Sequence, residues 1–145
     1  MNRDAICARL PHSGRMCLLD RLDSWDAQSI TCYALSHRDA DNPLRSHGRL
    51  HAVCGVEYAA QAMALHGSLL AGPDTPPAMG YLASVRDLKL DIEDLSGVPE
   101  ELRVHAQRLS GDAGGFIYEF EIRAATRLLL AGRMVARLVV AGGAR

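Results

Sequence analysis

The stretch Leu50–Ala71, LHAVCGVEYAAQAMALHGSLLA, is apolar or small at almost every position. Five alanines (Ala52, Ala59, Ala60, Ala62 and Ala64) favour helix and let a neighbouring layer approach closely. Gly72, Pro73 and the prolines at 76 and 77 end the segment. Its length suits a membrane span, but Glu57, Gln61 and His51 or His66 would then lie at depth. One central acid costs about 2.5–3.5 kcal/mol on insertion scales. A helix over 50–71 that is apolar all round and does not cross a membrane must be covered on all sides by its own protein.

What covers it lies on either side in the chain. Asp4–Leu10 predicts a short helix closed by Pro11, because the residue before a proline avoids helical geometry. Ile30, Cys32 and Ala34 alternate with Thr31, Tyr33 and Leu35, predicting a strand over 29–37. The polar run Arg38–Arg49, with Pro43 and Gly48, reads as a loop. Beyond the helix, period-2 patterns predict strands over 79–92, 101–109, 115–124 and 127–140, with a bulge at Gly132. Four consecutive strands after one buried helix imply an antiparallel meander curled around it, hence an α+β domain spanning 1–145. The last residues, Ala-Gly-Gly-Ala-Arg, read as a frayed tail.

Composition narrows the function classes. The 145 residues carry a formal net charge of -1, and Lys89 is the only lysine. That balance offers no general electrostatic attraction for nucleic acid or a membrane surface. Cys7, Cys17, Cys32 and Cys54 form no CxxC pair and no zinc-ligand rhythm, so they read as small buried hydrophobes in a reducing compartment. Met1–Leu10 lacks the apolar core of a signal peptide, and the cytoplasm is the default location.

Several motifs then become recognisable. Leu10-Pro11-His12 with Met16-Cys17-Leu18-Leu19-Asp20-Arg21-Leu22, and Gly55-Val56-Glu57-Tyr58-Ala59-Ala60-Gln61, resemble the hot-dog fold 3-hydroxyacyl-[acyl-carrier-protein] dehydratases. Arg49–Gln61 (RLHAVCGVEYAAQ) is closer still to the dehydratase-like proteins of aryl-polyene biosynthesis clusters. The resemblance runs over essentially the whole chain. It implies a hot-dog fold, an antiparallel sheet wrapped around one long helix, and an activity in fatty-acid or polyene-type synthesis. Catalysis in that family uses one histidine and one carboxylic acid from different subunits of a dimer. The family's histidine stands fourteen residues before the helix acid, where this chain has Pro43; its Pro-Gly at the helix start falls on His51-Ala52.

Dehydration of a 3-hydroxyacyl thioester needs a base at C2, an acid for the departing C3 hydroxyl and a donor on the thioester carbonyl. Glu57 carries over as the acid, and burial in an apolar helix would favour its protonated form. The plainer reading pairs it with an arginine or leaves it in solvent. His51, six residues earlier, and His47, in the preceding loop, are the candidate bases; each reads equally well as a surface or capping histidine. Backbone amides over Ala52–Gly55 are the candidate carbonyl donors, and Gln61, one turn after Glu57, is expected to hydrogen-bond it. His12, from the opening motif, reads as structural, and His37, His66 and His105 as incidental. A metal held by His47 and His51 lacks a third ligand of suitable spacing, and the chemistry calls for no cofactor. Arg45, Arg49 and Arg86 are candidates to dock an acidic acyl-carrier protein or a phosphopantetheine arm, a solvated surface role being the plainer reading of each; the expected partner is an acyl-carrier protein or a coenzyme A thioester. A homodimer is expected, or a heterodimer with another hot-dog subunit. Two alternatives share the fold: an acyl thioesterase with Glu57 activating water, and a catalytically inactive partner subunit.

Overall fold

The computed structural model describes residues 1–10, 14–73, 79–112 and 114–139. Its elements are α1 (Arg3–Ala8), β1 (Arg21–Trp25), β2 (Ser29–Ala34), α2 (Gly55–Ala71), β3 (Met79–Leu90), β4 (Leu102–Asp112), β5 (Gly115–Ala124) and β6 (Arg127–Val139). Short 3-10 turns occupy Gly14–Met16, Ser36–Arg38 and Ala52–Cys54. The six strands form one antiparallel sheet in the order β1-β2-β4-β5-β6-β3. No helix among the described residues is long and apolar enough to cross a membrane.

The inner face of the sheet is supplied by alternate residues, as the period-2 patterns require. Ile30, Cys32 and Ala34 of β2 join Leu102, Val104 and Ala106 of β4. Tyr118, Phe120 and Ile122 of β5 and Leu130 and Met134 of β6 complete that face. Helix α2 lies against β2, β4 and β5. It approaches closely at Gly55, where a Cβ would stand 2.8 Å from both methyls of Leu130 and 3.2 Å from Ile122 Cδ1.

Four features differ from the sequence reading. First, β4, β5 and β6 form a meander, but β3 pairs with β6 rather than β4, and β2 takes the place beside β4. The two-residue link at 125–126 suits a tight hairpin, whereas residues 91–101 are long enough to cross the end of the sheet. Second, β1 is an additional edge strand. Only Leu22 in it is even half-buried, so it has no alternating pattern to read. Third, the bulge lies on β3, where Asp87 (φ 53°) and Leu88 stand against the single Gly132 of β6. Fourth, Cys7 and Cys17 are joined in a disulfide, with their Cα atoms 5.8 Å apart. Helix α1 folds back against the segment before β1 and brings them together; Cys32 and Cys54 are free. Pro11, His12, residues 74–78 and the C-terminal tail lie outside the described residues.

Nor is α2 covered on every side. Residues 50–54 form a turn and the helix starts at Gly55. Val53 (51 % exposed), Glu57, Ala60, Ala64 and Gly67 follow one another at helical spacing along a stripe that the chain's own sheet leaves open. The opposite side carries polar groups that are buried and paired. Gln61 is fully buried; its Oε1 accepts the Leu18 N–H at 2.8 Å and its amide donates to the Met16 carbonyl. His66 is also fully buried. Nε2 donates to the Asp26 carbonyl at 2.7 Å, which leaves Nδ1 to accept from the Tyr118 hydroxyl at 2.6 Å. With Nε2 donating and Nδ1 accepting, the imidazole is neutral. Burial depresses its pKa, with Arg108 acting in the same direction and Asp26 opposing.

Two outcomes are expected from this core. Gln61→Leu strands the buried Leu18 N–H and lowers stability by about 1–3 kcal/mol in urea denaturation, at unchanged m-value. His66 binds a proton more readily unfolded than folded. Its contribution to stability is therefore complete above the unfolded imidazole value of about 6.5 and is lost as pH falls through the lower folded value. His37 and His105, both depressed chiefly by burial, act in the same direction. Denaturation at pH 5 to 8 should show a falling stability on the acid side, with a shallower slope in His66→Gln.

Candidate active site

The start of α2 is held by the crossing segment 91–101. The Ala52 N–H donates to the Glu93 carbonyl at 2.9 Å, and the Leu95 N–H to the Leu50 carbonyl at 2.8 Å. Asp94 secures the junction. Its Oδ1 accepts the Ser96 hydroxyl at 2.6 Å, the Ser96 N–H at 2.9 Å and the Leu50 N–H at 3.2 Å. Arg49 Nε lies 3.5 Å from its Oδ2. Led by the Ser96 hydroxyl, these partners hold the Asp94 carboxyl down to about 2.

This bracing decides which backbone donors remain. The Cys54 N–H is used on the His51 carbonyl at 2.9 Å, and the Gly55 N–H turns back on the Ala52 carbonyl. Ala52 and Gly55, both named as donors by the sequence reading, are therefore occupied internally. The Val53 N–H between them has no acceptor among the described residues. It precedes the helix on the open stripe, where unpaired amides attract an oxyanion or carbonyl.

Glu57 stands in the first turn of α2, a favourable place for a negative charge beside the helix dipole. The apolar sequence around it suggested deep burial; the open stripe leaves it half-buried. Its carboxylate makes no hydrogen bond and no ion pair among the described residues. Gln61 is spent on Met16 and Leu18 and does not brace it. Cys54, one turn before Glu57, has a thiol pushed up by burial and then by the Glu57 charge.

The candidate histidines are exposed. His47 (φ 54°) and Gly48 (φ 76°) are the central pair of a tight turn closed by Ser46 and Arg49. Ser46 Oγ is 3.1 Å from His47 Nδ1. His51 precedes the Ala52–Cys54 turn and makes no capping bond with its ring. Neither histidine is hydrogen-bonded to Glu57 within the chain, and Pro43 is an exposed residue of the intervening loop. That loop is fastened through other groups. His37 Nε2 donates to the Val98 carbonyl at 3.0 Å, and Asn42 Nδ2 donates to the Ser36 carbonyl at 2.9 Å and the Tyr58 hydroxyl at 3.1 Å. Arg45 ties Gly48 and His37 carbonyls at 3.1 and 3.2 Å, so with Arg49 it is engaged internally. Arg86 is exposed on β3, opposite Arg133. Among the described residues no cluster of three His, Cys, Asp or Glu side chains is placed to hold a metal.

The sequence reading named Glu57 as the acid and the Ala52–Gly55 backbone, Val53 within it, as carbonyl donors; which of those amides stays unpaired depends on the 3-10 turn, which composition does not announce.

Comparison with known proteins places this arrangement. Solved structures with the same fold include the dehydratase heterocomplex ApeI:P from Xenorhabdus doucetiae, at TM-score 0.82 and 21 % identity, covering 92 % of this chain and 90 % of that one. A mutant of the thioesterase PA1618 from Pseudomonas aeruginosa aligns at TM-score 0.60 and 15 % identity, over 83 % of this chain and 81 % of the other. AziG of S. sahachiroi aligns at TM-score 0.62 and 17 % identity, over 86 % and 93 %. A search of the curated proteins gives no match. The family profile described as ApeP dehydratase matches residues 5–138, and the chain belongs to this ApeP-like dehydratase family of the hot-dog fold.

Proposed function

We propose that this chain, as a single hot-dog domain, removes water from a 3-hydroxyacyl thioester carried on an acyl-carrier protein or coenzyme A, and that a second hot-dog subunit completes its site. The observation that carries this reading is the Glu57 carboxylate: it lies on the open stripe of α2 and has no partner among the described residues of its own chain. A subunit laid over that stripe would cover Ala60, Ala64 and Gly67 and enclose the carboxyl group with the substrate. The heterocomplex in which the ApeI:P proteins were solved supports such a pairing.

In the reaction, the Val53 amide polarises the thioester carbonyl and acidifies C2. A histidine takes the C2 proton, the electron pair forms the C2–C3 double bond, and the C3 hydroxyl leaves with a proton from Glu57 as water. The products are a 2-enoyl thioester and one water. His51 and His47 are this chain's candidates for the base, acting across an interface. The absence of a histidine at Pro43 favours a second arrangement, in which the other subunit brings the base.

Glu57→Gln should reduce formation of the enoyl thioester by about 10²-fold or more while stability stays within about 0.5 kcal/mol of the parent. The assay follows water loss from a 3-hydroxyacyl thioester by mass spectrometry, for this chain alone and with its hot-dog partner. Loss on His51→Ala or His47→Ala places the base in this chain; retention in both assigns it to the other subunit. Full activity of Glu57→Gln overturns the acid role of Glu57, and release of free thiol without water loss overturns dehydration and favours hydrolysis.

A further inference from the structure

Two N-terminal stretches, residues 1–10 and 14–20, form a strap fastened to α2 at separate points. Arg9 Nη1 donates to Ser68 Oγ at 3.1 Å near the far end, and Ile6 is buried in the core. The other fastening is Leu18, gripped on both sides. Its N–H donates to Gln61 Oε1 at 2.8 Å, and its carbonyl accepts the Ser36 hydroxyl at 2.7 Å. Ser36 Oγ in turn accepts from the Tyr58 hydroxyl at 2.9 Å. Leu18 is thus connected by short hydrogen-bond paths to positions 58 and 61 of α2, which bracket the turn that follows Glu57. Cys17, the residue before Leu18, is fully buried, and its disulfide partner Cys7 in α1 is half-buried.

We propose that the Cys7–Cys17 disulfide is a redox latch that holds this strap in register on α2, so that a low-molecular-weight thiol–disulfide couple sets the order of the helix beside Glu57. A thiolate attacks Cys7 Sγ, the more accessible sulfur; the S–S bond breaks and Cys17 leaves as a thiolate, which is then protonated. A second thiol displaces the mixed disulfide, giving two protein thiols and one small-molecule disulfide. Two electrons pass from the two small thiols to the protein, and the reverse exchange restores the bond. The remaining cysteines are poor attackers of this bond. Burial pushes the Cys32 thiol up to about 12, and Cys54 is raised by burial and by Glu57. The effect on turnover rests on the proposed dehydratase reaction; the latch itself does not.

The experiment takes the protein purified without reductant, counts its alkylatable thiols by mass in denaturant, and repeats the count after dithiothreitol. Two thiols rising to four are expected. Amide hydrogen exchange of residues 16–19 and 58–62 should quicken roughly tenfold on reduction, and dehydration should slow several-fold, both recovering with oxidised glutathione. A Cys7→Ser/Cys17→Ser double variant should sit at the reduced level and ignore dithiothreitol. Where that variant fails to fold, the reduction and reoxidation of the parent protein decide the question. Four thiols without reductant, or exchange rates identical in the two states, overturn the latch. Faster exchange with unchanged turnover overturns its coupling to Glu57. Faster exchange in a protein that dehydrates nothing in either state supports the latch and rejects the reaction instead.

Discussion

The close seating of α2 on the inner face of the sheet is the constraint from which the rest of the structure follows. A helix this apolar gains about 25 cal/mol for each Å² of apolar surface it hides, and hiding it requires an approach that only small residues permit. Gly55 against Leu130 and Ile122, with Ala59 and Ala62 further along, provides that approach. The sheet must then curve around one side of the helix, and chain from both ends must fill the flank. Strands β2 and β4 become neighbours because the chain before the helix and the chain after it both press against the same helical face.

One side of α2 cannot be covered in this way, because six strands and a short strap do not encircle it. The result is a molecule with two unlike surfaces on one helix. The covered side carries Tyr58, Gln61 and His66, every one buried and hydrogen-bonded, which fix rotation and register. The open side carries Val53 and Glu57, whose amide and carboxylate have no partner among the described residues. Burying a polar group without a partner is costly, so a chain keeps such groups at its boundary unless a ligand or a second subunit meets them there. The position of these unpaired groups and the openness of this side of α2 have the same origin.

Much of the architecture was legible in the residues. The long apolar run marks α2, and clean alternation in Leu102–Ala106 and Phe116–Ile122 marks strands with one face to the core. Alternation says which face is buried; it does not say which strand lies alongside, so the exchange of β3 for β2 beside β4 was not visible. Strand β1 was hidden because Arg21, Asp23 and Ser24 face solvent. The disulfide was hidden because a ten-residue spacing is neutral until α1 folds back. Within the site, Glu57 was legible as the only acid of an apolar helix. Gln61 was misread for a definite reason: proximity at i+4 favoured Glu57, but the unpaired backbone of Met16 and Leu18 offered two bonds in a dry setting. Histidine positions were readable while their reach was not, since His47 occupies a turn with left-handed backbone that aims its ring independently of its place in the chain.

The ladder between β2 and β4 has a kinetic side. Ser29 pairs with Gln107 and Ala34 with Leu102, so the rungs join segments with all of α2 and β3 between them. Such contacts close very long loops and cost more loop-closure entropy than the hairpins β4–β5 and β5–β6. Hairpins β4–β5–β6 join residues close in sequence and offer a curved apolar face on which α2 packs. A nascent chain therefore exposes its most apolar helix until the strands that follow it in sequence are made.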